Sequence, residues 1–252
     1  MSGVHLRHWP GDPDRPALAL HCMMAGGGYW GPVARALAGR IDLRGFDMPG
    51  HGRSDPWAPG PDDPDLHTAV TRIAASFIQR PLDLIGHSMG ATVALRIAVA
   101  APEAVRSLTL VEPVLFAAAP DPAQDALDAE MARALEAGDA EGAARRFLSV
   151  WGADAPLPPT AAAQVRLVAD TAPTLRHDGA RILRDGGLES IDAPVMIVTG
   201  GDSPPVIHAI AEALAARLPD VGRATVPGAG HMLPMTHPEA LAGLIGVNLD
   251  RA

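Results

Sequence analysis

Leu82-Asp83-Leu84-Ile85-Gly86-His87-Ser88-Met89-Gly90-Ala91-Thr92-Val93-Ala94-Leu95 is the stretch whose reading decides the fold. Its first four residues form a short apolar run of the kind that makes a buried parallel strand, and 89–100 read as an apolar helix. Gly86-His87-Ser88-Met89-Gly90 joins them and fits the pattern G-x-S-x-G. A turn this tight brings neighbouring backbone together, so the positions two before and two after the serine must be tiny. Gly86 and Gly90 meet that need. The serine then projects from the top of the sheet, beside a helix N-terminus that offers unpaired N–H groups and a positive dipole end. Five residues alone match by chance, and a tight turn with a capping serine is the bland alternative. The flanking strand and helix favour Ser88 as a nucleophile.

Outward from this unit, strands and helices alternate. Residues 4–9 predict an edge strand, followed by a turn through Gly11-Asp12-Pro13-Asp14. Residues 17–21 predict a core strand ending in a glycine-rich loop at 26–28, then a helix over 31–39 and a strand over 41–47. The Pro- and Asp-rich stretch 56–65 reads as a surface loop, and 66–80 as a helix with Leu66, Val70, Ile73, Ala74 and Phe77 on one side. Strands follow at 105–111, 194–199 and 222–226, with helices at 206–218 and from 238 to 249. This rhythm predicts a three-layer α/β architecture with a mostly parallel central sheet flanked by helices. It breaks between 114 and 190, where Ala-rich helical segments (123–137, 140–151 and 160–170) are joined by turns carrying Pro156, Pro158 and Pro159, with no convincing strand. The expected organisation is a core of 1–113 and 191–252 with a helical cap, 114–190, inserted over the carboxyl ends of the strands.

Composition narrows the function classes. A formal charge of -9 argues against nucleic acid as a partner, which would require a basic face. All 20 basic residues are Arg, so no Lys is present to act as a base or form a Schiff base. The single cysteine, Cys22, excludes an internal disulfide framework and a Cys-based zinc cluster. Residues Met1 to Arg7 lack a signal-peptide run, and no stretch reaches the 18 or more apolar residues of a membrane span. A cytoplasmic protein with no membrane partner is the default, and a homo-oligomer is left open. The glycines at 26–28 fit neither a P-loop nor a dinucleotide fingerprint, so no phosphate-bearing cofactor is expected there.

Three motifs together resemble the α/β-hydrolase superfamily, in its branch of compact esterase-like and dehalogenase-like enzymes with a helical cap. They are the Ser88 turn, Asp47-Met48-Pro49-Gly50-His51-Gly52-Arg53-Ser54, and Val226-Pro227-Gly228-Ala229-Gly230-His231. The resemblance covers nearly the whole chain and implies the α/β-hydrolase fold. It makes the 47–54 loop architectural, so His51 and Ser54 are not taken as catalytic. His231, in a glycine-flanked loop after the last sheet strand, is expected to be the base that relays the serine proton. The resemblance also turns His87 back under the nucleophile turn in a structural role. The remaining histidines show no metal-ligand spacing, and no metal or cofactor is needed.

The acid has two candidates. Many relatives carry an Asp three residues after the glycine that ends the penultimate core strand, but after Gly200 that position is Ser203, and Asp202 comes one residue early, before Pro204-Pro205. The superfamily's other acid position is the end of the strand after the nucleophile helix, which here is Glu112, at a spacing from Ser88 similar to that in haloalkane dehalogenases. A carboxylate ending an apolar strand needs a partner to offset its burial. Glu112 is preferred and Asp202 is the alternative acid.

The resemblance places two oxyanion-hole N–H donors at Met89 and Met23, with Cys22 where relatives commonly have glycine, a substitution that would strain a positive-φ position. Cys22 itself has no credible base pair and is a poor nucleophile candidate. Tyr29, Trp30, Leu115, Phe116 and Trp151, with the two methionines, are candidate lining for an apolar pocket, and each could equally be core. The expected partner is a small or medium apolar acyl substrate, cleaved as a carboxylic ester in two acyl-transfer steps. Alternatives with the same residues are a C–C bond hydrolase, a thioesterase or an acyltransferase, and a non-enzymatic small-molecule binding protein could use the same fold. Ser88 in place of an aspartate nucleophile disfavours dehalogenation.

Overall fold

The computed structural model describes residues 3–152, 157–177 and 179–252. Pro156 of the expected proline-bearing turns therefore lies outside the described residues. Seven strands form one sheet: β1 (Leu6–Trp9), β2 (Pro16–Leu20), β3 (Asp42–Phe46), β4 (Leu82–His87), β5 (Val105–Val111), β6 (Val195–Gly200) and β7 (Val221–Val226). Their spatial order is β1-β3-β2-β4-β5-β6-β7. Only β1 is antiparallel, running along β3 at one edge, while the other pairs are parallel. Every residue of β4 and β6 is buried, as their near-continuous apolar runs require of interior parallel strands. Edge strand β7 is only half-buried.

Side-chain alternation divides the core into two layers. Leu20, Leu84, Leu110 and Ile197 face one layer, whereas Ala19, Ile85, Val111 and Val198 face the other. Helices α1 (Gly31–Ala36), α2 (Leu66–Ser76) and α3 (Met89–Ala100) follow the early strands. Between β5 and β6 come α4 (Pro122–Glu136), α5 (Ala140–Trp151) and α6 (Ala161–His177), and the order closes with α7 (Pro205–Ala215), α8 (Leu233–Thr236) and α9 (Pro238–Leu249). Val93, Leu95, Ile207 and Ile210 bring α3 and α7 onto the first face, and Val33, Leu241 and Ile245 bring α1 and α9 onto the second.

The insertion is helical because its sequence supplies starts and an apolar face. Asp121 caps α4 by accepting from Ala123 N–H, with Pro122 at the first helical position, and Asp139 caps α5 by accepting from Gly142 N–H. Met131, Ala144, Trp151, Val165 and Leu175 join the first core layer. Helix α6 runs seven residues past the expected 170 and carries Pro173 inside it. The short α8 precedes the helix expected from 238 and has no counterpart among the expected elements. At the amino ends of the strands, buried Asp83 pairs with Arg15 at 2.9 Å and accepts from Ser107 Oγ at 2.6 Å. Ser107 is thus tied into the far end of the sheet from Ser88. No helix among the described residues is long and apolar enough to cross a membrane.

Candidate active site

Ser88 is the residue between β4 and α3, at φ 56° and ψ -120°. A side chain at this φ is strained and persists only where the surroundings enforce it. Two close approaches do so. A Cβ on Gly86 would lie 2.4 Å from the carbonyl oxygen of Gly90, and one on Gly90 would lie 2.4 Å from that of Leu20. Neither position admits a side chain without moving backbone, which gives both glycines of the turn a steric cause.

Ser88 Oγ lies 3.0 Å from His231 Nε2, and His231 Nδ1 lies 2.9 Å from Glu112 Oε2. A carboxylate only accepts, so Nδ1 carries the proton toward Glu112 and Nε2 is left to accept from Ser88. The second carboxylate oxygen, Oε1, accepts from Gly200 N–H at 2.6 Å. Glu112 is fully buried, with one partner on each oxygen, so its burial is compensated. It also occupies positive φ, 51°. Asp202 is exposed, its N–H bonded to Ala229 O, and its carboxylate is not brought to His231. Ser203 is buried, and its Oγ has no hydrogen-bond partner among the described residues.

Beneath the turn, His87 is fully buried with ring partners at both ends. Nε2 donates to the carbonyl of His231 at 2.8 Å, and Nδ1 accepts from the Tyr29 hydroxyl at 2.8 Å. Burial, then the nearby His231, holds its pKa well below the ordinary value, so the ring is neutral. Sequence reasoning gave His87 a structural place but missed this tie to the His231 backbone, for which no sequence signal exists. His21 is fixed in the same way: Nδ1 donates to Cys22 O at 2.7 Å and Nε2 accepts from Met48 N–H at 2.9 Å. Burial, then the neighbouring His51, lowers its pKa to about 3. In the 47–54 loop, buried Asp47 accepts from Gly27 N–H at 2.6 Å and Arg53 N–H at 2.8 Å, and its own carbonyl accepts from Ser54 Oγ.

Met89 is the first residue of α3, and Met23 lies in the turn after β2. Neither N–H donates to an acceptor among the described residues. The positive φ in the 21–24 loop falls on Met24, at 61°, so Cys22 carries no such strain. Burial pushes the Cys22 thiol up to about 12, which leaves it protonated at neutral pH.

Ser88 and His231 open into a cavity of about 290 Å³, lined by Met23, Met89, Phe116, Phe147, Trp151 and Val168 among others. Trp151 also sets its ring edge-on to His231, with centroids 4.8 Å apart. Three residues expected along this pocket lie elsewhere. Trp30 is fully buried in the second core layer, because Gly27–Trp30 folds as a 3-10 turn anchored on Asp47. Tyr29 is held under the turn by His87, and Leu115 faces a separate cleft beside His67 and Arg96. Among the described residues, no three His, Cys, Asp or Glu side chains are grouped to hold a metal ion.

Residues 17–244 match the model of the alpha/beta hydrolase family. The chain belongs to that family. Among curated proteins it is 32% identical over 111 residues to a pimeloyl-[acyl-carrier protein] methyl ester esterase of Nitrosomonas europaea, a match spanning 44% of this chain and 41% of that protein. It is 31% identical over 146 residues to the lipase LipV of Mycobacterium tuberculosis, spanning 58% and 54% respectively. The matches thus span about half the length of these relatives. A hydrolase from Pseudomonas aeruginosa shares the fold with a TM-score of 0.72 at 24% identity, covering 98% of this chain and 94% of that one. An alpha/beta hydrolase enzyme from a deep-sea metagenome library aligns with a TM-score of 0.76 at 14% identity, covering 100% and 95%.

Proposed function

We propose that this alpha/beta hydrolase is a serine esterase that cleaves carboxylic esters of small or medium apolar acids, with Ser88 as nucleophile, His231 as base and Glu112 as acid. The observation that carries this reading is the unbroken line from Ser88 Oγ through His231 to Glu112, opening at Ser88 into an apolar cavity. Partial relatives named as a methyl ester esterase and a lipase support the reaction class.

His231 Nε2 takes the Ser88 proton as Oγ attacks the ester carbonyl, and the N–H groups of Met23 and Met89 receive the developing oxyanion. His231 then returns the proton to the departing alcohol, leaving an acyl group on Ser88. A water, deprotonated by the same nitrogen, attacks the acyl carbon and releases the acid. Glu112 holds Nδ1–H throughout, so the imidazolium formed in each step is stabilised and correctly oriented. In this reading the inserted helices α4 to α6 act as a cap that walls the acyl site off from water.

A fluorophosphonate probe followed by peptide mass spectrometry tests the assignment. The expected result is one adduct, on Ser88, together with a loss of roughly 10⁴-fold or more in ester turnover for Ser88→Ala. Hydrolysis that survives the substitution, or no adduct on Ser88, overturns it.

A further inference from the structure

Two residues of the cavity wall contrast with the rest. Gln124 and Asp128, one turn apart on α4, line the same cavity as Ser88. Gln124 is 6% exposed, and its Nε2 donates to Asp128 Oδ1 at 2.7 Å. The carboxylate fixes the amide's orientation, since Asp128 can only accept and must face the NH₂ group. Gln124 Oε1 is therefore left pointing away from Asp128, and it accepts no hydrogen bond from a described residue.

The charge around this corner is also defined. Asp128 Oδ2 is paired with Arg176 Nη2, and Arg176 Nε lies 2.9 Å from Asp125 Oδ1. One guanidinium is shared by two carboxylates, so its positive charge is already engaged. The corner presents a neutral acceptor backed by net negative charge.

Resting on the esterase reading above, we propose that the Gln124 corner is a specificity subsite for a neutral hydrogen-bond donor, a hydroxyl or amide N–H, carried on an otherwise apolar substrate. A purely apolar substrate that fills the cavity dries Gln124 Oε1 without replacing its water, and an unpaired buried acceptor is disfavoured. A hydroxyl or N–H satisfies it. A carboxylate brings a second acceptor toward Oε1 and a like charge toward Asp128, and is disfavoured. The same asymmetry makes sites built around a hydrogen bond reject analogues that lack the donor.

The experiment compares three series of methyl esters of matched chain length: unsubstituted, ω-hydroxy and ω-carboxylate. Hydrolysis by the wild type is expected to favour the best ω-hydroxy ester over its unsubstituted counterpart by about tenfold in kcat/KM, with the ω-carboxylate series poorest. Gln124→Met, close in shape but unable to accept, should collapse the hydroxy-to-unsubstituted ratio toward one. Calorimetry of the same esters on Ser88→Ala protein, with and without Gln124→Met, reads the preference without turnover. No hydrolysis of any series would sink the esterase reading, and the subsite would then stand or fall on binding alone. An ω-hydroxy ester that binds Ser88→Ala no tighter than its unsubstituted counterpart, a ratio unmoved by Gln124→Met, or a preference for the carboxylate would each overturn the subsite.

Discussion

Ser88 and Glu112 stand in register at the ends of adjacent strands β4 and β5, and each is tied through its N–H to the neighbouring strand. Ser88 N–H bonds to Val111 O at 2.9 Å and Glu112 N–H bonds to Val198 O at 2.9 Å, while both residues hold positive φ. The cap helices α4 to α6 are held otherwise. Their apolar faces pack on the first core layer, and several of their ion pairs are solvent-exposed, such as Arg145 with Glu141 at 3.7 Å and Arg146 with Glu130 at 3.8 Å. Exposed pairs of this kind contribute little. The strand ends specify atom positions through hydrogen bonds and steric walls, whereas the cap specifies shape and polarity through side-chain packing. Substitutions at the strand ends should therefore act on kcat, and substitutions in the cap on KM and substrate choice.

Apart from loss of Ser88 itself, the largest effect should come from the acid. Glu112→Gln removes the group that orients and balances His231, and kcat should fall by roughly 10²–10⁴-fold, with Asp202→Asn close to wild type. Steady-state kinetics of the two variants check this, and the reverse order would place the acid on the β6 loop instead.

Acid stability should show how much of the fold rests on neutral histidines, His21 beside the strand ends and His67 between α2 and α3. Burial, then the adjacent Arg96, lowers the His67 pKa to about 4, and His21 falls to about 3. Both folded values lie below the unfolded one, near 6.5, so the unfolded chain binds more protons between these limits. Stability is fully present above about pH 6.5 and is lost as pH falls toward the folded values. Each imidazole contributes on the order of 2 kcal/mol to the loss by pH 5. Thermal melts from pH 7 to 5 should drop by several degrees, and His67→Gln should flatten that slope; an unchanged slope would mean that His67 titrates normally.

A smaller effect is expected at Tyr29. Tyr29→Phe removes the donor to His87 Nδ1, loosening the ring that holds the His231 carbonyl. A fall of about 3- to 10-fold in kcat with little change in KM follows if the anchor counts as one ordinary hydrogen bond. In the cap, Phe147→Ala removes part of the cavity wall and should raise KM a few-fold for long acyl chains while kcat stays within about twofold. Equal losses of kcat at Phe147 and Tyr29 would erase the distinction between the two regions.

The alternation of apolar runs and helical periodicity made the layered sheet legible, because buried parallel strands must be apolar on both faces. The Ser88 turn was legible for a similar reason: only glycine fits where Gly86 meets Gly90 and where Gly90 meets Leu20. Helix α6 extends past the expected 170 and through Pro173, a local stop signal that tertiary packing overrides. Trp30 and Tyr29 lie away from the expected pocket wall, and an aromatic pair after glycines carries no sign in sequence of the direction in which it packs.

The sequence by itself determined the strand-turn-helix unit, the parallel sheet, the helical insertion, and the serine and histidine that motif context singles out. These are local consequences of periodicity, turn sterics and residue size. The strand-end position already favoured Glu112 over Asp202, but the Glu112–His231 contact itself, the His87 anchor, and the Gln124–Asp128–Arg176 corner belong to tertiary structure. Each depends on side chains brought together across long sequence separations, such as Glu112 with His231 and Gly200, and no local pattern encodes a distance of 2.9 Å between such groups.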